Sequence, residues 1–129
     1  MDIIQVTNYD RDRSGMETVM PTNDQDTLAQ IRQAAMKRIL FLPHALDQMN
    51  HPDRMITTRD IRAVIATGTI VEDYPKDVRG HSCLMLGQGG DRHPIHVVCA
   101  PKTDYLAIIT AYRPDPEQWE ADWRTRRER

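Results

Sequence analysis

Thr57-Thr58-Arg59-Asp60-Ile61-Arg62-Ala63-Val64-Ile65-Ala66-Thr67-Gly68, followed directly by Thr69-Ile70-Val71-Glu72-Asp73-Tyr74, is the stretch that decides the fold. A threonine with an acid three residues later has the form of a capping box, in which side chains and backbone amides satisfy one another at a helix start. Ile61, Val64 and Ile65 then recur at the spacing of one apolar helix stripe, and Gly68 stands where a C-terminal cap is expected. After Gly68 the period changes. Thr69–Tyr74 is rich in strand formers and closes at Pro75.

Upstream of this boundary the spacing predicts helices. Leu28, Ile31, Ala34 or Ala35 and Ile39 repeat at helical intervals, with Asp24 or Asp26 able to cap. Pro43 interrupts that run, and Pro43-His44-Ala45 reads as the first turn of a second helix that carries Leu46 and Met49 and ends at Pro52. Downstream, His81–Leu86 and Pro94–Ala100 flank Gly87-Gln88-Gly89-Gly90-Asp91-Arg92 and predict a hairpin. Tyr105–Tyr112 is apolar almost throughout, as expected of a strand buried on both faces. Glu117–Arg126 is predicted to form a short helix whose Trp119 and Trp123 share one side. This order gives an α+β fold: N-terminal helices packed on a roughly four-stranded antiparallel sheet, with a short C-terminal helix. Residues 1–25 carry no sustained period and many turn formers, so they read as an irregular or mobile acidic arm with a short strand at Ile3–Val6. Residues 26–129 make the single domain.

A chain of 129 residues buries enough surface to need no staple. Two cysteines, Cys83 and Cys99, are too few for a disulfide framework, which points to a reducing cytoplasm. No apolar run is long enough to span a membrane, and Met1-Asp2 opens no signal peptide. The net charge of −2 is not that of a general nucleic-acid binder, yet it is unevenly spread. The first 30 residues carry two bases against six acids, and the rest carry 15 against 13. Fourteen of the 17 bases are arginine, which suits bidentate contact with phosphate but fits the bias of a high-GC genome equally well.

Two motifs invite chemistry and do not complete it. His81-x-Cys83 and His96-x-x-Cys99 suggest zinc, but strand alternation sets His96 and Cys99 on opposite faces, so four ligands do not converge without a bulge. No metal or cofactor is therefore expected. Gly87-Gln88-Gly89-Gly90 joins two strands and precedes no helix, which removes the phosphate-loop context.

His44-Ala45, Arg54-Met55, Arg59-Asp60-Ile61, Gly68-Thr69-Ile70, Leu84-Met85-Leu86-Gly87, Arg92, Ile95-His96-Val97-Val98 and Ile108-Ile109-Thr110-Ala111-Tyr112 stand in this order. Together they resemble a bacterial domain family of unknown function, family 4258, which is similar to the RelE/ParE-like toxins of toxin–antitoxin pairs. The resemblance covers about residues 38–123. Many members carry an arginine beside the methionine of the first helix, where this chain has Gln48. The resemblance implies a toxin-like protein, with metal-independent RNA cleavage as the candidate activity. Its implied partners are a cognate antitoxin-like protein and RNA; a homodimer is compatible with it.

RNA cleavage without metal needs a base for the 2′-hydroxyl, an acid for the leaving oxygen and cations around the phosphate. The matching residues are His44 at a helix start, His96 within a strand, Arg54, Arg92 at the hairpin loop and Tyr112 at a strand end. Four of these have a structural alternative. His44 reads also as a helix-start residue whose ring bonds a loop, His96 as a half-buried histidine bonded to a backbone carbonyl, Arg54 as a surface partner of Asp53 or Asp60, and Tyr112 as a plug at the core's edge. The second reading of the chain is thus a non-catalytic interaction module of the same fold.

Overall fold

The computed structural model describes residues 24–128, so nearly all of the acidic arm, with the strand expected at Ile3–Val6, lies outside the described residues. These residues form α1 (Asp24–Lys37), β1 (Ile39–Phe41), α2 (Pro43–Met49), α3 (Thr58–Thr67), β2 (Thr69–Tyr74), β3 (Ser82–Gln88), β4 (Pro94–Pro101) and β5 (Leu106–Tyr112). None of these helices is long and apolar enough to cross a membrane.

The capping box closes as its sequence requires. The Thr57 side chain accepts the Asp60 amide at 3.0 Å, and the Asp60 carboxylate accepts the Thr57 amide at 3.0 Å. Ile61, Val64 and Ile65 are buried against the sheet. Gly68 does end α3, though not through a left-handed turn; its φ is −79°. Its value is close approach: a Cβ there would lie 2.5 Å from the Leu86 carbonyl oxygen and 2.6 Å from that of Val64. Arg32 of α1 then donates to the carbonyls of Ile65 and Gly68, at 2.9 and 3.0 Å, and so binds α1 to the end of α3.

The sheet has five strands in the order β1-β5-β4-β3-β2. The α+β class stands, but the expected sheet of roughly four antiparallel strands is a mixed sheet of five: β2 to β5 pair antiparallel and β1 adds a parallel edge. Ile39 does not continue the first helix; Ile39, Leu40 and Phe41 pair parallel with Leu106, Ala107 and Ile108. The cause is tertiary: the free edge of β5 supplies partners, beginning with the Leu106 amide on the Arg38 carbonyl at 2.8 Å. β1 is only three residues long, so beyond Ile108 the edge of β5 is taken by α2 instead.

The C-terminal helix is also corrected. Residues 113–128 form turns and one bridge between Trp119 and Arg126. Asp115 captures the Glu117 amide and Asp122 the amides of Arg124 and Thr125, so aspartate side chains fold these turns locally. Trp123 adopts φ 60°, which no helix tolerates.

Two bulges decide which side chains share a face. In β2, Ile70 opposes Met85 and Glu72 opposes Leu84, which leaves Val71 as an extra residue. In β5, Thr110 opposes Val98 and Ile108 opposes Cys99, which leaves Ile109 extra. Leu106, Ile108 and Ala111 consequently face the helices, while Tyr112 faces the other side with His96, its register partner.

Candidate functional site

A cleft of about 480 Å³ opens where β1 ends and α2 covers the remaining edge of β5. His44, Gln48 and Arg54 form one wall, Thr110, Tyr112 and Arg113 the floor, and Asp115, Gln118, Trp119 and Arg126 the opposite wall. Pro43 at the first turn of α2 sets His44 one residue into that helix, where its ring is exposed. Arg54 follows α2 in a turn in which its own amide and that of Met55 bond the His51 carbonyl. Among the described residues the side chains of His44, Gln48 and Arg54 carry no hydrogen bond or ion pair; Asp60, one expected partner of Arg54, is bound to Thr57 and Gly90.

Of the five residues singled out from the sequence, His44, Arg54 and Tyr112 meet in this cleft. His96 and Arg92 do not line it. Arg92 sits on the exposed hairpin loop at φ 66°, and its neighbour Asp91 instead grips Arg113 at 3.0 Å. Arg113 is one of two cleft cations, with Arg126, that the sequence did not single out; its Nε donates to the Arg54 carbonyl at 2.9 Å and its Nη1 is buried with no partner among the described residues. Its only sequence signal was its place directly after Tyr112.

His96 lies beneath the cleft and is fully buried, at 0% exposure. Tyr112 and Trp119 meet its ring edge-on, with centroids 5.3 and 4.6 Å away. Its Nε2 is 2.7 Å from the Trp123 carbonyl, an atom that only accepts, so Nε2 carries the proton. Nδ1 in the neutral ring is then the acceptor, and it receives the Tyr112 hydroxyl at 3.2 Å. Burial holds the imidazole below its ordinary pKa, although the Trp123 carbonyl and the Glu72 charge oppose this. Burial likewise raises the Tyr112 phenol, which stays protonated. The oxygen lone pairs of Tyr112 are left for whatever enters the cleft.

Arg126 closes the far wall. It stacks over Trp119 at 4.6 Å and pairs with Glu72 through two bonds of 2.8 and 3.0 Å. That pairing keeps the Glu72 carboxyl below its ordinary value, against burial. The bulge at Val71 is what turns Glu72 toward this segment. With Arg126 balanced by Glu72 and Arg113 by Asp91, the cleft base without an ion pair among the described residues is Arg54, which lines the cleft with His44.

The model of a domain of unknown function, DUF4258, matches residues 41–113. The chain belongs to that family. The DUF4258 region runs from the end of β1 through β5 and holds His44, Gln48, Arg54, His96, Tyr112 and Arg113. The wall formed by Asp115, Gln118, Trp119 and Arg126 lies beyond it, as does the Trp123 carbonyl. No curated protein and no solved structure matches the chain.

Proposed function

We propose that this DUF4258 member is a toxin-like protein of the RelE/ParE kind that binds RNA in the cleft and cleaves it without a metal. The observation that carries the reading is the convergence of His44, Arg54 and Tyr112 on one cleft. Arg54, whose side chain has no ion pair among the described residues, suits a phosphate. In this reading the RNA 2′-hydroxyl gives its proton to the Tyr112 oxygen while Tyr112 passes its own to Nδ1 of His96. The 2′-oxygen attacks phosphorus, and the departing 5′-oxygen takes a proton from the His44 imidazolium. His96 acts through Tyr112 and is a positioning residue; the Glu72 charge favours its transient imidazolium.

The second reading is a non-catalytic module that engages a cognate antitoxin-like protein. The enclosure of His96 favours it, because both ring nitrogens already have partners. Labelled RNA incubated with purified protein in a chelator, beside induced expression in bacteria, separates the two. His44→Ala and Tyr112→Phe should each reduce cleavage by about 10²–10⁴-fold while the fold survives. An intact RNA pool together with growth arrest that persists in His44→Ala would establish the interaction module instead.

A further inference from the structure

A second group of donors lies on the helix side of the sheet, remote from the cleft. The bulge at Val71 that turns Glu72 away also turns Asp73 onto the face of Cys83, its register partner. His81, just before β3, completes a set of three. One ligand atom from each of Asp73, His81 and Cys83 lies within 4.8 Å of the others. Cys83 Sγ is 3.2 Å from Oδ1 of Asp73, and Nε2 of His81 bonds that same oxygen. A tetrahedral zinc with bonds of about 2.0–2.3 Å spaces its ligand atoms about 3.3–3.8 Å apart; hydrogen bonds draw these three donors closer together than that, so the partly exposed side chains of His81 and Asp73 move apart to admit the ion.

The donor chemistry narrows the ion. One carboxylate oxygen, one imidazole nitrogen and one sulfur suit zinc, whereas calcium and magnesium take oxygen alone. Two sides of the group differ: Cys83 is fully buried, while the side chains of His81 and Asp73 are 29% and 30% exposed. We infer that Asp73, His81 and Cys83 bind one zinc ion, with water at the fourth corner on the solvent side. Binding releases the Cys83 thiol proton to solvent and leaves thiolate, imidazole and carboxylate on the metal. The ion would staple the edge strand β2 to β3, on the face opposite His96. This inference does not depend on the function proposed for the cleft.

The test uses the full chain stripped of metal and titrated with cobalt(II), then with zinc. A single equivalent of cobalt should give a thiolate-to-metal charge-transfer band with tetrahedral d–d bands, and zinc should abolish both by displacement. Zinc should also raise the melting temperature. His81→Ala, a partly exposed position, should weaken binding by more than about tenfold and remove the thermal shift. Cys83→Ser should remove the charge-transfer band. If no such band forms, or if it survives Cys83→Ser, or if His81→Ala binds as tightly as the parent, the three residues are only a hydrogen-bonded trio.

Discussion

Replacing His96 by alanine tests the centre of the structure most severely. The ring is fully buried between Tyr112 and Trp119 and bonds the Trp123 carbonyl at 2.7 Å and the Tyr112 hydroxyl at 3.2 Å. Truncating a buried side chain of this size costs about 2–5 kcal/mol, and each stranded polar partner costs about 1–3 kcal/mol. A water entering the vacated polar space can satisfy the carbonyl, so these do not simply add. A loss of about 3–4 kcal/mol is expected. The chain has two tryptophans, Trp119 and Trp123, and both lie in the segment laid over His96. Urea unfolding followed by tryptophan emission therefore reads this segment directly, and circular dichroism reads the whole fold. His96→Ala should shift native emission to the red and lower the midpoint in both signals. His96→Gln, whose amide nitrogen can reach the Trp123 carbonyl, should lose less. A loss below about 1 kcal/mol with unchanged emission would refute the hydrogen-bonded placement of the ring.

The other expectations are simpler to state. Because His96 is held neutral below its ordinary value of 6.5, the unfolded chain binds the proton more readily; stability should fall as pH drops below about 6.5, by at most about 1.4 kcal/mol per unit. That slope should be absent in His96→Gln, as measured by unfolding across the pH range. Ile108→Ala, fully buried in β5 with neighbours β4 and β1, should cost about 2–5 kcal/mol in the same unfolding assay; below 1 kcal/mol the strand would be peripheral. Thr57→Ala removes one half of the capping box and should cost about 1 kcal/mol, whereas Thr57→Asp should retain most of the stability. Glu72→Gln should cost no more than about 1 kcal/mol, since Arg126 is largely exposed, yet it should alter Trp119 emission by freeing the stacked guanidinium.

What the sequence made legible is what short-range rules control. The capping box, the Ile61–Val64–Ile65 stripe, the hairpin around Gly89 and the apolar β5 all follow from residues within one turn or one pleat of each other. Ile39–Phe41 were misplaced because their strand exists only through a partner more than sixty positions away. The C-terminal turns were misplaced because Trp119 and Trp123 have helical spacing, while Asp115 and Asp122 take the backbone amides first. The site suffered most from the bulges. Strict alternation would place Tyr112 with Ile108 and Glu72 with Ile70; one extra residue in each strand sends both to the other face. The same slip at Val71 brings Asp73 to Cys83, a pairing that alternation from Ile70 forbids.

The end of the family match falls in the middle of the cleft. Tyr112 and Arg113 are its last residues, and everything that faces them from Asp115 to Arg126 belongs to the following segment. That segment is more than a wall. Its Trp123 carbonyl fixes which nitrogen of His96 carries the proton, and thereby makes Tyr112 a donor inward and an acceptor outward. Its Arg126 is anchored on Glu72, a residue of the matched region that the Val71 bulge has turned to meet it. The matched region thus supplies His96 and Tyr112, and the segment beyond it sets their hydrogen-bonding sense. Loss of the Trp123 carbonyl would leave Tyr112 in place and free the His96 ring to change tautomer, so the tail governs the polarity of the cleft without supplying its floor.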